Sequence, residues 1–150
     1  MIRPLTPGEV ALGREAFGDG LDYGAIRLLA SPFNRAFVAG CWFGRDWIIW
    51  PKRSLPDDVS GAALGLQALL IHELTHVWQA RQGVNLLLAK IRAGDSAASY
   101  AYPLVVDCRW EQLNIEQQAT LVEHRFRLSR GLTVPADQAF YDRVCPINRR

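Results

Sequence analysis

The sequence predicts a single α+β domain in which one long helix packs against a small antiparallel or mixed sheet and a second long helix. Three observations predict this class: a proline-free apolar segment at residues 59–82, short β-branched and aromatic runs between residues 25 and 51, and a capped helix start near Asn114. With 150 residues and 49% apolar content, residues 1–150 are expected to form one domain with its own core.

The first helix is predicted at residues 7–17. Thr6 can cap it, Pro7 suits the first helical position, and Glu9 completes a capping box. A glycine-rich stop begins at Gly18. The few apolar positions form one modest face, so this helix is expected to depend on packing for its stability.

Apolar runs at residues 26–30, 36–39 and 47–50 predict two or three short antiparallel strands. Prolines, glycines and Asn34 separate them. A sheet of this size is not stable by itself and needs a helix on one face. The proline-bounded segment 51–56 ends the strand region.

The long helix is predicted from Val59 to Gln82. Its leucines, Val77 and Trp78 recur at intervals of three and four residues, and Gly83 supplies the stop. Because this is the longest and most apolar helix, we expect it to be buried on more than one side.

The rest of the chain is less regular. Residues 84–93 predict either another helix or an irregular apolar segment, and residues 95–107 predict a loop. The last strong helix is expected from Asn114, an N-cap with Gln117 at position N3, to about Arg130. The tail has room for at most one short helix.

Charge and cysteine content exclude several classes of protein. The net charge of +2 is too small and too evenly spread for a nucleic-acid partner. Three widely spaced cysteines without a CxxC pair indicate a reducing compartment. No apolar run approaches the roughly 20 residues that span a bilayer. We therefore expect a cytoplasmic protein without a membrane span, exported, if at all, without a cleaved signal peptide.

The long helix contains His72-Glu73-Leu74-Thr75-His76, an HExxH motif. Four residues turn a helix by about 400°, so both imidazoles project from one face, roughly 6 Å apart along the axis. Both can bind one Zn²⁺ ion, which prefers nitrogen ligands in a tetrahedral shell. Glu73 is then not a ligand but can take a proton from the water that the metal activates. The alternative is a pair of core histidines satisfied by hydrogen bonds.

A third ligand must come from another segment, because Gln79 and Gln82 stand where a glycine and a third histidine would extend the motif. Glu116 is favoured, since it lies in the first turn of the last helix near its apolar face. The helix dipole alone also favours a glutamate there. Glu123, seven residues later on the same face, better suits the role of orienting a histidine ligand. The remaining ligand candidates are Glu123 itself, His124, Glu111 and Asp107.

Peptide hydrolysis also needs a donor for the oxyanion that develops on the attacked carbonyl. Tyr102 and Tyr100 are the candidates, with Arg109 as another, although each suits packing or the surface equally well. Strand 47–50 or strand 36–39 could present an unpaired edge that holds an extended peptide. Five tryptophans exceed the needs of a small core, so some are expected to line a cleft or a partner surface.

Three segments carry a family resemblance: RPLTPGE at residues 3–9, HELTHVWQ at 72–79 and LNIEQQA at 113–119. Together they resemble small bacterial Vgr-related proteins, whose HExxH region is similar to a metallopeptidase-like domain found with contractile injection systems. The resemblance covers most of the chain. It implies a zincin-like fold, a Gram-negative source, a link to type VI secretion, and zinc held by His72, His76 and a downstream glutamate best matched by Glu116.

The sequence therefore predicts a zinc metallopeptidase of the gluzincin type, which cleaves a peptide or protein substrate with Glu73 as general base. The alternative is a non-catalytic zinc-binding or interaction module that serves as a component of a type VI or related secretion system. If neutral imidazoles bind the metal, zinc affinity is expected to fall below about pH 6.

Overall fold

The computed structural model describes residues 1–94 and 96–148 and places five α-helices and one four-stranded sheet within them, which confirms the α+β class. The helices are α1 Pro7–Phe17, α2 Leu64–Arg81, α3 Leu86–Ala93, α4 Ile115–Ser129 and α5 Gln138–Val144. The strands are β1 Ile2–Pro4, β2 Ile26–Ser31, β3 Phe37–Trp42 and β4 Arg45–Pro51.

The sheet is mixed, with the strand order β1-β2-β4-β3. β1 pairs with β2 and β3 pairs with β4 in antiparallel fashion, whereas the central strands β2 and β4 run parallel. The three predicted runs correspond to β2, β3 and β4, and the sheet is mixed, which is one of the two kinds expected; only the pairing of β2 with β4 departs from the antiparallel strands predicted for this region. After β2 the chain crosses to the outer edge as β3, and the hairpin then returns β4 between β2 and β3.

The central strands and α2 supply much of the core. Ile26, Leu28, Ile48 and Trp50 are fully buried and belong to one apolar cluster with the buried face of α2. α2 packs along α4 and also contacts β3. This packing places the HExxH segment between the last long helix and the edge strand of the sheet.

α2 begins at Leu64, five residues later than predicted. The preceding residues form a short 3-10 turn capped by Asp58, and the amide of Val59 donates to the Glu9 side chain instead of entering a helix. The predicted stop is confirmed, since Gly83 adopts the left-handed region at φ +91°.

The other predicted helices depend on capping residues and on the residues that end a helix. The capping boxes of α1 and α4 are both present, and α5 is the short helix for which the tail has room. The 84–93 segment is helical as α3. Of the predicted 95–107 loop, Asp95 lies outside the described residues, and the rest contains a 3-10 turn at Ala97–Ser99. Within the described chain, no helix has both the length and the apolarity needed to cross a bilayer.

Glu9 is a buried carboxylate that ties three segments together. The guanidinium of Arg3 donates to its two oxygens at 2.8 and 2.9 Å, and the amides of Thr6 and Val59 each donate at 2.8 Å. The side chain thereby links β1, α1 and the turn that precedes α2. Removing its charge would leave Arg3, which is itself mostly buried, without its counter-ion.

We therefore expect Glu9→Gln to lower the free energy of unfolding by about 3 kcal/mol, as is usual when one partner of a buried pair is removed. Urea unfolding followed by circular dichroism measures the change. Glu15→Gln is the matched control, because the Glu15 carboxylate is half-exposed in its pair with Arg130 and should cost less than about 1 kcal/mol. Equal losses in the two variants would contradict the assignment.

Candidate metal centre

Two packed helices bring the three predicted ligands together. His72 and His76 lie one turn apart on α2, and Glu116 lies in the first turn of α4. One ligand atom from each residue lies within 4.8 Å of the other two, and all three residues are buried. Within the described chain, His124, Glu111 and Asp107 are not part of this group.

The Glu116 carboxylate faces both imidazoles. Its Oε2 lies 3.3 Å from Nε2 of His72, and its Oε1 lies 3.1 Å from Nε2 of His76. A tetrahedral metal ion with nitrogen and oxygen ligands at about 2.0–2.2 Å places those ligand atoms roughly 3.3 Å apart. Two imidazoles and one carboxylate are also a donor set that catalytic zinc uses, with a fourth position left open.

The opposite nitrogen of each imidazole is held as well. Nδ1 of His72 lies 3.1 Å from Oε1 of Glu123, and Nδ1 of His76 lies 2.8 Å from Oε1 of Gln79. The amide nitrogen of Gln79 in turn donates to the backbone carbonyl of Ile115. The seven-residue spacing had indicated the place of Glu123, whereas Gln79 was missed, although its i+3 position after His76 puts it on the same helix face.

Each imidazole therefore faces a hydrogen-bond acceptor on both sides. The NH₂ group of Gln79 donates to the backbone carbonyl of Ile115 and to Oε1 of Gln118. The atom of Gln79 that faces His76 is therefore its carbonyl oxygen, so Nδ1 of His76 must be the donor. Nε2 of a neutral His76 then directs a lone pair at a Glu116 oxygen. His72 lies in the same way between Glu123 and Glu116. A neutral imidazole carries one N–H, so this arrangement requires added positive charge, either protons or a metal cation.

The pKa values of His72 and Glu116 both shift in the direction that favours positive charge between them. Burial lowers the pKa of His72, but the hydrogen bonds to Glu116 and Glu123 outweigh burial and raise this pKa to about 10. Burial acts to raise the pKa of Glu116, but the hydrogen bonds to His72 and His76 outweigh it and hold this pKa well below its usual range. Without a metal, the centre therefore holds a proton in place of the cation.

Glu73 follows the first histidine but does not join the ligand group. It is buried, and within the described chain its Oε2 has no hydrogen-bond partner. Burial raises the pKa of Glu73, and the neighbouring His76 and His72 oppose that rise. A buried carboxylate oxygen without a partner is costly, so this atom is suited to a partner that arrives with a ligand.

An open cavity of about 1000 Å³ lies over the centre and exposes Glu73 and the three ligands to its contents. One wall comes from β3 and the residues before it, and another comes from α3 through Leu86, Leu87 and Lys90. No tryptophan of the described chain lines this cavity, so the expectation that some line a cleft or a partner surface does not hold for this cleft. Trp50 and Trp110 belong to the core instead.

Tyr102, the predicted oxyanion donor, is not among the described residues that line this cavity. Its hydroxyl lies 2.6 Å from Nδ1 of His124 and 2.7 Å from the hydroxyl of Tyr141. Tyr100 does line the cavity, with its ring centroid 6.4 Å from that of His72. Tyr100 ends a 3-10 turn and has helical backbone angles, so the chain changes direction between Tyr100 and Tyr102. Arg109 does not line the cavity either.

No family model matches the chain. The chain is 34% identical over 139 residues to the type VI secretion system spike protein VgrG2b of Pseudomonas aeruginosa, a match that covers 83% of this chain and 13% of the spike protein. The solved effector domain of Pseudomonas aeruginosa VgrG2b superposes with a TM-score of 0.69 at 33% identity, covering 85% of this chain and 75% of that domain. The chain belongs to the VgrG2b effector-domain family. It spans about an eighth of the spike protein that it matches.

In this member of the VgrG2b effector-domain family, Gln79 offers a test of how the histidines are held. We expect Gln79→Leu to weaken Zn²⁺ binding by about 10- to 100-fold, because His76 loses the acceptor that orients its ring. Competition with a chromophoric chelator measures the affinity. Gln67→Leu is the matched control on α2, since Gln67 bonds only backbone carbonyls before the helix. Unchanged affinity in Gln79→Leu would contradict the orienting role.

Metal binding by this VgrG2b-like domain should also release a proton. Because the pKa of His72 is raised to about 10, its ring is protonated at pH 7.5, and a metal must displace that proton. We expect release of about one proton per Zn²⁺ and an affinity that rises from pH 7 to pH 9. Calorimetry in buffers of different ionisation enthalpy measures it. Absence of proton release would contradict the raised pKa of His72. Because of this raised pKa, zinc affinity is expected to change with pH over a higher range than it would with an ordinary imidazole.

Proposed function

We propose that this chain is a zinc-dependent peptidase domain with a zincin-like fold, in which His72, His76 and Glu116 hold Zn²⁺. One observation carries the proposal: both buried imidazoles lie between hydrogen-bond acceptors, so the site requires added positive charge, which a metal cation can supply. The spacing of the donor atoms and the nature of the donor set suit zinc. A structural zinc site would be closed by a fourth protein ligand, whereas this one opens onto a large cavity.

Glu73 is the proposed general base. A bound Zn²⁺ supplies Lewis-acid activation of water and polarises a carbonyl group. Glu73 has one buried carboxylate oxygen without a partner, and this atom can take the proton from the attacking water and then return it to the leaving amine. Its pKa is raised by burial, which suits a group that must both accept and give up a proton near neutral pH.

Other residues of the chain position the reacting groups. Glu123 and Gln79 hold the two imidazoles through their Nδ1 atoms, so neither ring needs to reorient during the reaction. Tyr100 replaces Tyr102 as the proposed donor to the oxyanion, because it is the tyrosine that lines the cavity.

The substrate is proposed to bind as an added strand. β3 forms an outer edge of the sheet, and Phe37, Val38 and Ala39 of this strand line the cavity. Because β4 pairs with one side of β3, the other side is not paired within this sheet. An extended peptide can form main-chain hydrogen bonds to such an edge while its side chains enter the cavity.

Membership of the VgrG2b effector-domain family supports a place in secretion. We infer that this chain acts as an effector domain that leaves its cell through a type VI or related apparatus. The same homology supports more directly a second function, that of a non-catalytic accessory module of such a system, since it connects the chain to type VI secretion and not to peptide cleavage. The second function requires no cleavage, so a cleavage assay separates the two.

The test is a search for new protein termini. Zinc-loaded protein, metal-stripped protein and stripped protein reloaded with Zn²⁺ are incubated with folded and denatured bacterial proteomes, and new N-termini are identified by mass spectrometry. We expect termini that appear with the first and third samples only. Stoichiometric zinc without new termini would overturn the peptidase proposal and leave the accessory module.

A further inference from the structure

The charges that line the cavity are unevenly distributed. The three carboxylates, Glu73, Glu116 and Glu123, all lie at the metal centre. On the remaining walls, the charged residues that the described chain provides are Arg35, just before β3, and Lys90 on α3. Both are cations. Away from the metal, the charged side chains that the described chain places around the cavity are therefore cationic.

Lys90 is the cation that α3 contributes to this cavity. It is exposed, and the described residues provide it with no hydrogen-bond or ion-pair partner. Lys90 and Glu73 line the same cavity. An exposed lysine on the wall of this cavity can hold an anionic group of a ligand that enters it.

The wall that carries Lys90 is otherwise apolar and poorly covered. α3 has no buried residue, and Leu87, three positions before Lys90, is 75% exposed although it lines the cavity. Leu86 lies one turn before Lys90 on the same wall. A ligand side chain that covers these leucines gains apolar contact in the same place where an anionic group gains a cation.

We propose that the cavity selects peptides in which an acidic residue neighbours an apolar one, with the carboxylate held by Lys90. The apolar side chain packs against Leu86 and Leu87. This proposal rests on the proposed function only in taking a peptide as the occupant, and it does not require that the peptide is cleaved.

Peptide binding tests the selection without cleavage. Zinc-loaded Glu73→Gln protein is titrated with two fluorescein-labelled decapeptide pools that are identical except that one has glutamate wherever the other has glutamine. Fluorescence anisotropy at low ionic strength should give about fourfold tighter binding of the acidic pool, a size typical of solvent-accessible ion pairs. The preference should largely disappear in 0.5 M NaCl because salt screens the pairs.

Charge variants identify the residue responsible. Lys90→Glu, in the same background, should abolish or reverse the preference, whereas Arg92→Gln should leave it intact, since Arg92 is exposed on the same helix but does not line the cavity. Equal binding of the two pools, no binding of either pool, or a preference that survives Lys90→Glu would each overturn the proposal. Selective binding by a wild-type protein that cleaves nothing would refute the peptidase and retain the selection.

Discussion

Glu73→Gln should abolish peptide cleavage while the protein keeps its zinc. The amide has nearly the size of the carboxylate but cannot accept the proton of the attacking water. We expect kcat/KM to fall by about 1000-fold, within the range for loss of a general base. Zinc content should be unchanged because Glu73 is not among the ligand atoms. Thermal stability should not fall, since the substitution removes a buried charge whose Oε2 has no partner in the described chain.

The matched control is Glu111→Gln, a change of the same chemistry at an exposed residue that does not line the cavity. It should retain full activity with the peptides found in the terminus search. Activity in Glu73→Gln within tenfold of wild type would contradict the assignment of the general base.

Glu116→Gln should weaken zinc binding by more than 100-fold, beyond the range expected for residues that only orient a ligand. Glutamine keeps the shape of the side chain but loses the charge that Nε2 of His72 and Nε2 of His76 both face. Chelator competition and mass spectrometry of the native protein measure affinity and stoichiometry.

His124→Ala is the informative comparison for this experiment. His124 bonds the hydroxyl of Tyr102 and is not part of the ligand group, so its loss should leave zinc affinity unchanged. If Glu116→Gln retained zinc and His124→Ala lost it, the third ligand would be His124 and not Glu116.

Local signals predicted the helices of this fold well. The capping boxes at Thr6 and Asn114 define the starts of α1 and α4, and the i,i+4 spacing of His72 and His76 places both rings on one face of α2. These features depend on neighbours within about one helical turn, so a single sequence contains them.

Long-range pairing was not predictable in the same way. β1 has only three residues, one of them proline, and it is a strand because β2 pairs with it. The parallel pairing of β2 with β4 likewise depends on where the hairpin inserts. α2 starts late because Val59 donates to Glu9, fifty positions earlier in the chain.

The candidate site shows the same division between local and long-range signals. Motif spacing indicated Glu73 and the histidines, and the helix face indicated Glu116 and Glu123. The choice between Tyr100 and Tyr102 depended on a turn in an irregular segment, and the role of Gln79 depended on a carbonyl of the neighbouring helix. Neither signal can be read from periodicity, because both arise from packing between segments.

Two imidazoles and one carboxylate are proposed to share one metal ion. Anomalous diffraction at the zinc absorption edge, from crystals of the zinc-loaded protein, shows whether they do. We expect one strong anomalous peak about 2.0–2.2 Å from Nε2 of His72, Nε2 of His76 and a carboxylate oxygen of Glu116. No peak between these three side chains, or a peak that Glu116 does not contact, would contradict the account.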